Sequence, residues 1–391
     1  MRYLLALLVF TACSGGATDT GVVVRDSAGI TIVENTNQLW AEGEGWRLSD
    51  QPLVTIGVLE GPEEYQLFQA FSAVRLTDRR IVVANGGSRE MRFYEENGTF
   101  INSVGREGEG PGEFKMLRAI WPARGDSLAV YDYTNSMRIS VFDSEGTFGR
   151  TFRLDPASTS IPLAQDLIWG NTVVSRSGIY DSDEVTDGLR RDSSLYCTHS
   201  MDGVVLDTLG RFPGGEMYAR SMGQGQSIGV SRPYGRRPIA VASSEYWYFG
   251  STDSYEIEGY GHSGSLERII RRDVANRPVT QALIDEHQRR LRESGNPEIS
   301  RMWRDITLPE TMPAHGRMLA DAVDNLWVQE YRINDEPERW AVFDSTGRLL
   351  GIVEMPAPGR VTEIGSDYVL GIWTDDMDVE QVRLYELVKR R

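Results

Sequence analysis

Few residue sets in this chain could do chemistry, and each set is weak on its own terms. The four histidines, His199, His262, His287 and His315, share no metal-ligand spacing such as His-x3-His. His315, in Met312-Pro-Ala-His-Gly316, is the imidazole of interest, because its segment leads into the fifth repeat unit. Asn85 and Asp132 follow equivalent strands, Ile81 to Ala84 and Leu128 to Tyr131, so they are expected on one rim. Their recurrence with the repeat also fits side chains that cap a turn. Gly105 to Gly112 resembles a phosphate loop at first sight, but Gly110 is followed by Pro111 rather than Lys, and Glu113 stands where a dinucleotide fingerprint needs Gly. Its reappearance near Gly57 and Gly210 marks a connection between repeats. Gly223-Gln-Gly-Gln-Ser227 reads as a polar loop, with no nucleophile elbow expected. Paired carboxylates are uninformative in a chain this acidic, so no catalytic residues are assigned.

The two cysteines bear on address and packing. Arg2, the apolar run Leu4 to Phe10 and Thr11-Ala12 before Cys13 follow the plan of a secretory signal peptide. Spanning a bilayer takes roughly 20 apolar residues, which this run lacks. Small residues ending directly at Cys13 resemble a lipobox, although Phe10 stands where Leu is usual. That resemblance implies cleavage after Ala12 and lipidation of Cys13, with several acyl chains giving durable anchoring. Ser14 after the cysteine favours the outer membrane. Residues 1–12 are thus read as the signal peptide, 13–21 as a lipidated flexible tether and 22–391 as one domain. Cys197, between apolar neighbours, is expected to be a small buried filler without a disulfide partner.

Any such residues must be positioned by repeats. Arg89-Glu-Met-Arg-Phe-Tyr-Glu-Glu-Asn-Gly-Thr-Phe100 aligns with Met137-Arg-Ile-Ser-Val-Phe-Asp-Ser-Glu-Gly-Thr-Phe148, 48 residues on. Glu60-Gly-Pro-Glu-Glu-Tyr65 aligns with Glu109-Gly-Pro-Gly-Glu-Phe114 at an offset of 49. Periods of about 40–50 residues built from short strands point to propeller blades. Six second-strand candidates follow: Ile81 to Ala84, Leu128 to Tyr131, Thr172 to Val174, Tyr246 to Phe249, Leu326 to Val328 and Tyr368 to Trp373. Turns such as Asp143-Ser-Glu-Gly146 and Asp344-Ser-Thr-Gly347 would close the hairpins. The expected fold is all-β: six four-stranded antiparallel blades, with N-terminal Ile30 to Glu34 supplying the strand that the last blade lacks. One helix is expected near 280–294, inside a segment spanning 279–295, with Thr280 as N-cap and Asp285/Arg289 and Glu286/Arg290 as pairs.

Gly105-Arg-Glu-Gly-Glu-Gly-Pro-Gly-Glu-Phe114, Ser127-Leu-Ala-Val-Tyr-Asp132 and Met137-Arg-Ile-Ser-Val-Phe-Asp143 resemble the NHL-type six-bladed repeat. The whole chain is similar to uncharacterised bacterial six-bladed β-propeller lipoproteins, most sharply over residues 57–154 and 318–353. Propeller lyases and lactonases of broadly similar shape hold a divalent cation on the axis, and oxygen ligands there would suit calcium. No other cofactor is expected.

Net charge is −16 and no Lys/Arg run is present, which argues against nucleic acid as a partner. Only Lys115 and Lys389 are lysines, the other basic residues being arginines; this reads as genome composition. Trp40, Trp46, Trp121 and Trp303 are placed in connections, and Trp247, Trp327 and Trp373 on core strands. The reading that follows is a membrane-tethered module of the cell envelope that binds a protein, peptide or glycan. The alternative is a metal-dependent lyase or hydrolase in the channel, which requires three or more Asp, Asn, Glu or His side chains from different blades to converge on the axis.

Overall fold

Apolar runs recurring along the chain become the inner strands of a closed ring of antiparallel sheets. The computed structural model describes residues 21–133, 137–158, 160–168, 170–179, 187–223, 226–293, 303–333, 336–356 and 359–390. Cys13, the signal segment and nearly all of the tether lie outside these residues.

Blade 1 comprises Ala70–Arg75, Ile81–Asn85, Glu90–Tyr94 and Phe100–Val104, and blade 2 comprises Leu117–Pro122, Leu128–Asp132, Arg138–Phe142 and Phe148–Arg153. Blade 3 is built from Leu163–Ile168, Thr172–Ile179, Ser193–Ser200 and Val205–Pro213, and blade 4 from Ile239–Ala242, Trp247–Gly250, Glu256–Tyr260 and Leu266–Arg272. Met318–Ala320, Leu326–Gln329, Glu338–Phe343 and Leu349–Met355 form blade 5; Gly359–Ile364, Tyr368–Thr374 and Glu380–Arg390 begin blade 6. All six second-strand candidates are second strands. They stand out because both faces of a blade are covered by neighbours, so Ile81–Asn85, Leu128–Asp132 and Trp247–Gly250 are buried throughout.

The core is divided among the gaps between blades. Tyr94 and Val83 of blade 1 meet Leu370 and Val382 of blade 6, and Phe93 meets Phe142 across blades 1 and 2. Trp327 and Trp340 meet Trp373 and Tyr385 between blades 5 and 6, and the remaining three gaps are filled likewise. Six filled interfaces close the ring. Trp46 and Trp121 lie in strands rather than connections, and Trp40, Trp46 and Trp121 pack half-buried against these cores. Cys197 is buried and unpaired by disulfide. The Asp-Ser-x-Gly turns form as expected: Asp143 Oδ1 accepts from the Glu145 and Thr147 amides while Gly146 takes φ +81°.

Ring closure differs from expectation in one respect. An N-terminal segment does complete blade 6, but it is not Ile30 to Glu34. Strands β1 (Val22–Ser27) and β2 (Ile30–Asn35) form a hairpin, and β2 pairs in parallel with the outer strand of blade 4. The chain then passes blade 5, where Leu39 and Trp40 donate to the carbonyls of Leu349 and Leu350. Short strands β3 (Gly45–Leu48) and β4 (Val54–Ile56) pair with the two halves of Glu380–Arg390 and supply the missing strand. Burial explains the placement: Ile32 and Val33 are both buried on pairing with blade 4, and Val33 packs beside Ile270 near Gly347 of blade 5. Asn35 is buried there, its amide donating to the Arg271 and Gly347 carbonyls while its Oδ1 accepts from the Leu349 amide. The N-terminus is thus a belt around three blades, and it covers outer edges that would otherwise be free.

Strand alternation assigns each connection to a face. Links between first and second, and between third and fourth, strands are at most five residues long. The other face carries the second-to-third loops and the crossovers between blades, including residues 214–223, 226–238, 273–293 and 303–317. This crossover face holds two additions. One is a three-stranded sheet of Gly188–Arg190, Met217–Gly223 and Gln226–Ser231; the other is helix α1 (Gln281–Glu293). The helix buries Leu283 and Leu291 and stacks His287 on Trp303. Glu286 pairs with Arg290 as expected, whereas Arg289 pairs with Glu286 and Glu293 rather than Asp285, which accepts from Gln281.

Candidate functional site

Asn85 and Asp132 both reach the crossover face, where each caps the entry of its own blade. Asn85 Oδ1 accepts from the Phe68 amide at 2.9 Å, and Asp132 Oδ1 accepts from the Met116 amide at 2.7 Å. Thr252 does the same for the Arg237 amide in blade 4, and Gln329 for the Arg317 amide in blade 5. The chemistry of the cap varies while its place is similar: Asn85, Asp132 and Gln329 end their second strands, and Thr252 lies two residues past its own. Each cap fixes the residue that enters the first strand, and Phe68 (66% exposed) and Met116 (45% exposed) project to solvent.

Buried arginines fasten the crossovers. Arg92 Nη1 donates to the carbonyls of Glu63, Glu64 and Gln66 in the Gly-Pro-Glu-Glu loop of blade 1. In blade 2, Arg138 donates to the carbonyls of Gly108, Glu109 and Glu113, and its Nε sits 3.0 Å from Asp132 Oδ2. The glycine-rich stretch is therefore a crossover, held as a carbonyl cradle around a cation, the reverse of a phosphate loop.

His315 lies at the blade 4–5 interface. Its Nδ1 bonds the Gly316 carbonyl at 3.0 Å, and its ring packs on Tyr255 at 5.4 Å. Gly250 is required beneath it, since a Cβ there would lie 2.7 Å from Nε2. Burial pushes the imidazole down to about 4, so it is neutral near pH 7, and Nε2 finds no partner among the described residues. Asn85, Asp132 and His315 stand in three different blades and are not brought together. Among the described residues no three His, Cys, Asp or Glu side chains gather as a metal-ligand set. Gly225-Gln-Ser-Ile-Gly229 does spell Gly-x-Ser-x-Gly, but Gln226–Ser231 is a sheet strand rather than the polar loop expected, and an elbow requires a strand-to-helix turn.

The crossover face instead contains a cleft between blades 4 and 5, with a volume of about 390 Å³. Among the described residues, its walls carry Arg272, Arg277, Arg332 and Arg339 and the carboxylates Glu330 and Glu336. Arg277 forks onto Glu336 at 2.6 and 2.8 Å, which holds that carboxyl below its usual range. Arg272 meets Glu330 at 3.0 Å, and Arg339 turns outward to Glu354 at 2.9 Å. Arg332 donates only through Nε, to the Glu336 carbonyl. Tyr331 lines the same cleft, its hydroxyl pushed up by burial. None of this convergence was read from the sequence. The one available signal was the near-exclusive use of arginine over lysine, since a planar fork suits both carbonyl cradles and anion contacts.

Residues 58–188, about a third of the chain, match a family model described as a 6-bladed beta-propeller. A member of the DUF4221 family from Bacteroides vulgatus superposes with a TM-score of 0.50 at 8% identity, covering 88% of this chain and 99% of that one. The chain is a six-bladed β-propeller. A protein described as exported, from Bacteroides fragilis, is 12% identical with a TM-score of 0.48, covering 92% of this propeller and 100% of its own chain. A gluconolactonase of Xanthomonas campestris is 14% identical at a TM-score of 0.40, with coverage of 81% and 87%. No curated protein matches the sequence. At such identities the likeness is one of fold, and function has to be argued from this propeller's own surface.

Proposed function

We propose that this propeller is an exported, lipid-tethered binding module of the bacterial cell envelope, with its ligand docking on the crossover face. The observation that carries the reading is asymmetry between the two faces. The turn face has only tight connections, whereas the crossover face bears the added sheet, helix α1, the cleft and exposed Phe68, Met116, Tyr133 and Met377. A rigid scaffold presenting long loops and apolar side chains on one side suits a protein, peptide or glycan partner. Cys13 is the proposed anchor, by the lipobox-like Thr11-Ala12-Cys13, and Ser14 favours the outer membrane. No helix among the described residues is long and apolar enough to cross a membrane.

Hydroxyl-radical footprinting of the full chain, with and without solubilised bacterial envelope, tests the reading. Phe68, Met116, Tyr133 and Met377 should lose labelling while Val204 and Val323, in turns of the opposite face, keep it. Protection confined to the turn face, or none at all, contradicts the proposal.

A further inference from the structure

We infer that the cleft between blades 4 and 5 is a binding site for a carboxylate-bearing ligand, with Arg332 as its principal clamp. The inference rests on the crossover face being the binding face and names the chemistry that face takes.

The charge of the cleft points to an anion. The chain carries −16 overall, yet among the described residues four guanidinium groups and two carboxylates line this one cleft. Arg277 and Arg272 are matched by Glu336 and Glu330, and Arg339 by Glu354. Arg332 makes its one hydrogen bond through Nε to a backbone carbonyl, and no acceptor among the described residues meets its two terminal nitrogens. No described carboxylate forms a contact ion pair with it, and Glu336 and Glu338 feel its charge only at longer range. The two terminal nitrogens of a guanidinium accept a planar carboxylate as a pair of parallel hydrogen bonds.

Shape and wall composition narrow the class further. A volume of about 390 Å³ suits a small molecule or a chain end rather than a flat protein surface. Tyr331, Pro313 and Pro337 offer apolar walls for a compact body beside the anionic group. Glu330 and Glu336 share the cleft, and Glu336 is held ionised by Arg277. Their charge disfavours a dianion such as a phosphate monoester and favours a single negative charge. The elements converge here for one reason: the segment after the last strand of blade 4, the return at Pro313-Ala314 and the loop between the second and third strands of blade 5 all lie on the crossover face.

The test is calorimetric titration of the full chain in detergent with benzoate, D-glucuronate, inorganic phosphate and, as neutral control, D-glucose. At least one carboxylate should bind saturably, at one site and more tightly than phosphate, and glucose should not bind. Arg332→Gln should weaken that binding roughly tenfold or more without moving the melting temperature. Arg150→Gln, which removes the same charge from an exposed pair with Asp202 on the perimeter, should leave it unchanged. Absence of saturable carboxylate binding, phosphate binding as tightly, or equal binding by Arg332→Gln would overturn the inference. Envelope-dependent protection of Phe68 and Met116 without carboxylate binding would refute this site alone, whereas carboxylate binding without such protection would refute the docking face.

Discussion

At the scale of single residues, the side chains that looked most like site residues work as fasteners. Asp132 answers the Met116 and Lys115 amides and the Arg138 guanidinium at once, with both partners of the ion pair buried. Asp132→Ala would leave Arg138 as a buried, uncompensated charge, so urea denaturation should show a loss of about 3–5 kcal/mol. A loss under about 1 kcal/mol would mean that the pair contributes little. His315 makes a pH prediction with a definite sign. Its folded pKa of about 4 lies below the ordinary 6.5, so as pH falls through that window the unfolded chain takes the proton first. Stability is complete above about pH 6.5 and is lost towards pH 4, by about 3 kcal/mol. Asp166 works in the opposite sense, because burial pushes its carboxyl up to about 6 and its contribution fades as pH rises through that value. The wild type should therefore be compared with His315→Asn: the stability gap between them should shrink on acidification, and a gap constant from pH 7 to 4 would contradict the account.

Among the elements, the N-terminal belt divides into a clasp and a cover. Strands β3 and β4 complete blade 6, and Ile56 is fully buried in the core shared by blades 6 and 1. Strands β1 and β2 extend the outer edge of blade 4 and reach blade 5 through Asn35. Ile56→Ala should lower global stability by about 2–5 kcal/mol, whereas Ile32→Ala should chiefly raise hydrogen exchange in β1 and β2. An unshifted denaturation midpoint for Ile56→Ala would show that the clasp does not hold the ring. The same division explains what could be read from sequence. Second strands such as Leu128–Asp132 were legible because burial on both faces writes an unbroken apolar run. Ile30 to Glu34 was legible as a strand, but local alternation carries no information about which edge it will pair with. The true clasp was hidden because β3 and β4 are four and three residues long, interrupted between 48 and 54. At the candidate site, Asn85 and Asp132 recur with the repeat because each ends a second strand and caps the entry of its blade. The arginine cleft draws on residues 272–277, 330–332 and 336–339, and no spacing rule reports that distance.

For the molecule as a whole, tether, ring and loaded face form one proposal. The ring is rigid because every blade gap is filled, so the crossover face can be presented without a conformational step. Export and anchoring are separable from that architecture: Cys13→Ala should move the protein from the membrane fraction to the soluble fraction with its melting temperature unchanged, and continued membrane attachment would refute the lipid anchor. The central claim is that binding occurs on the crossover face, and occlusion of one face at a time tests it most directly. A polyethylene glycol chain would be attached at Val274→Cys, on the wall of the cleft, or at Val204→Cys, in a turn of the opposite face; both positions are about half exposed. Retention of envelope components by each conjugate is then measured. Loss of retention at position 274 with full retention at 204 is the result predicted; the reverse pattern, or equal retention by both, would contradict it.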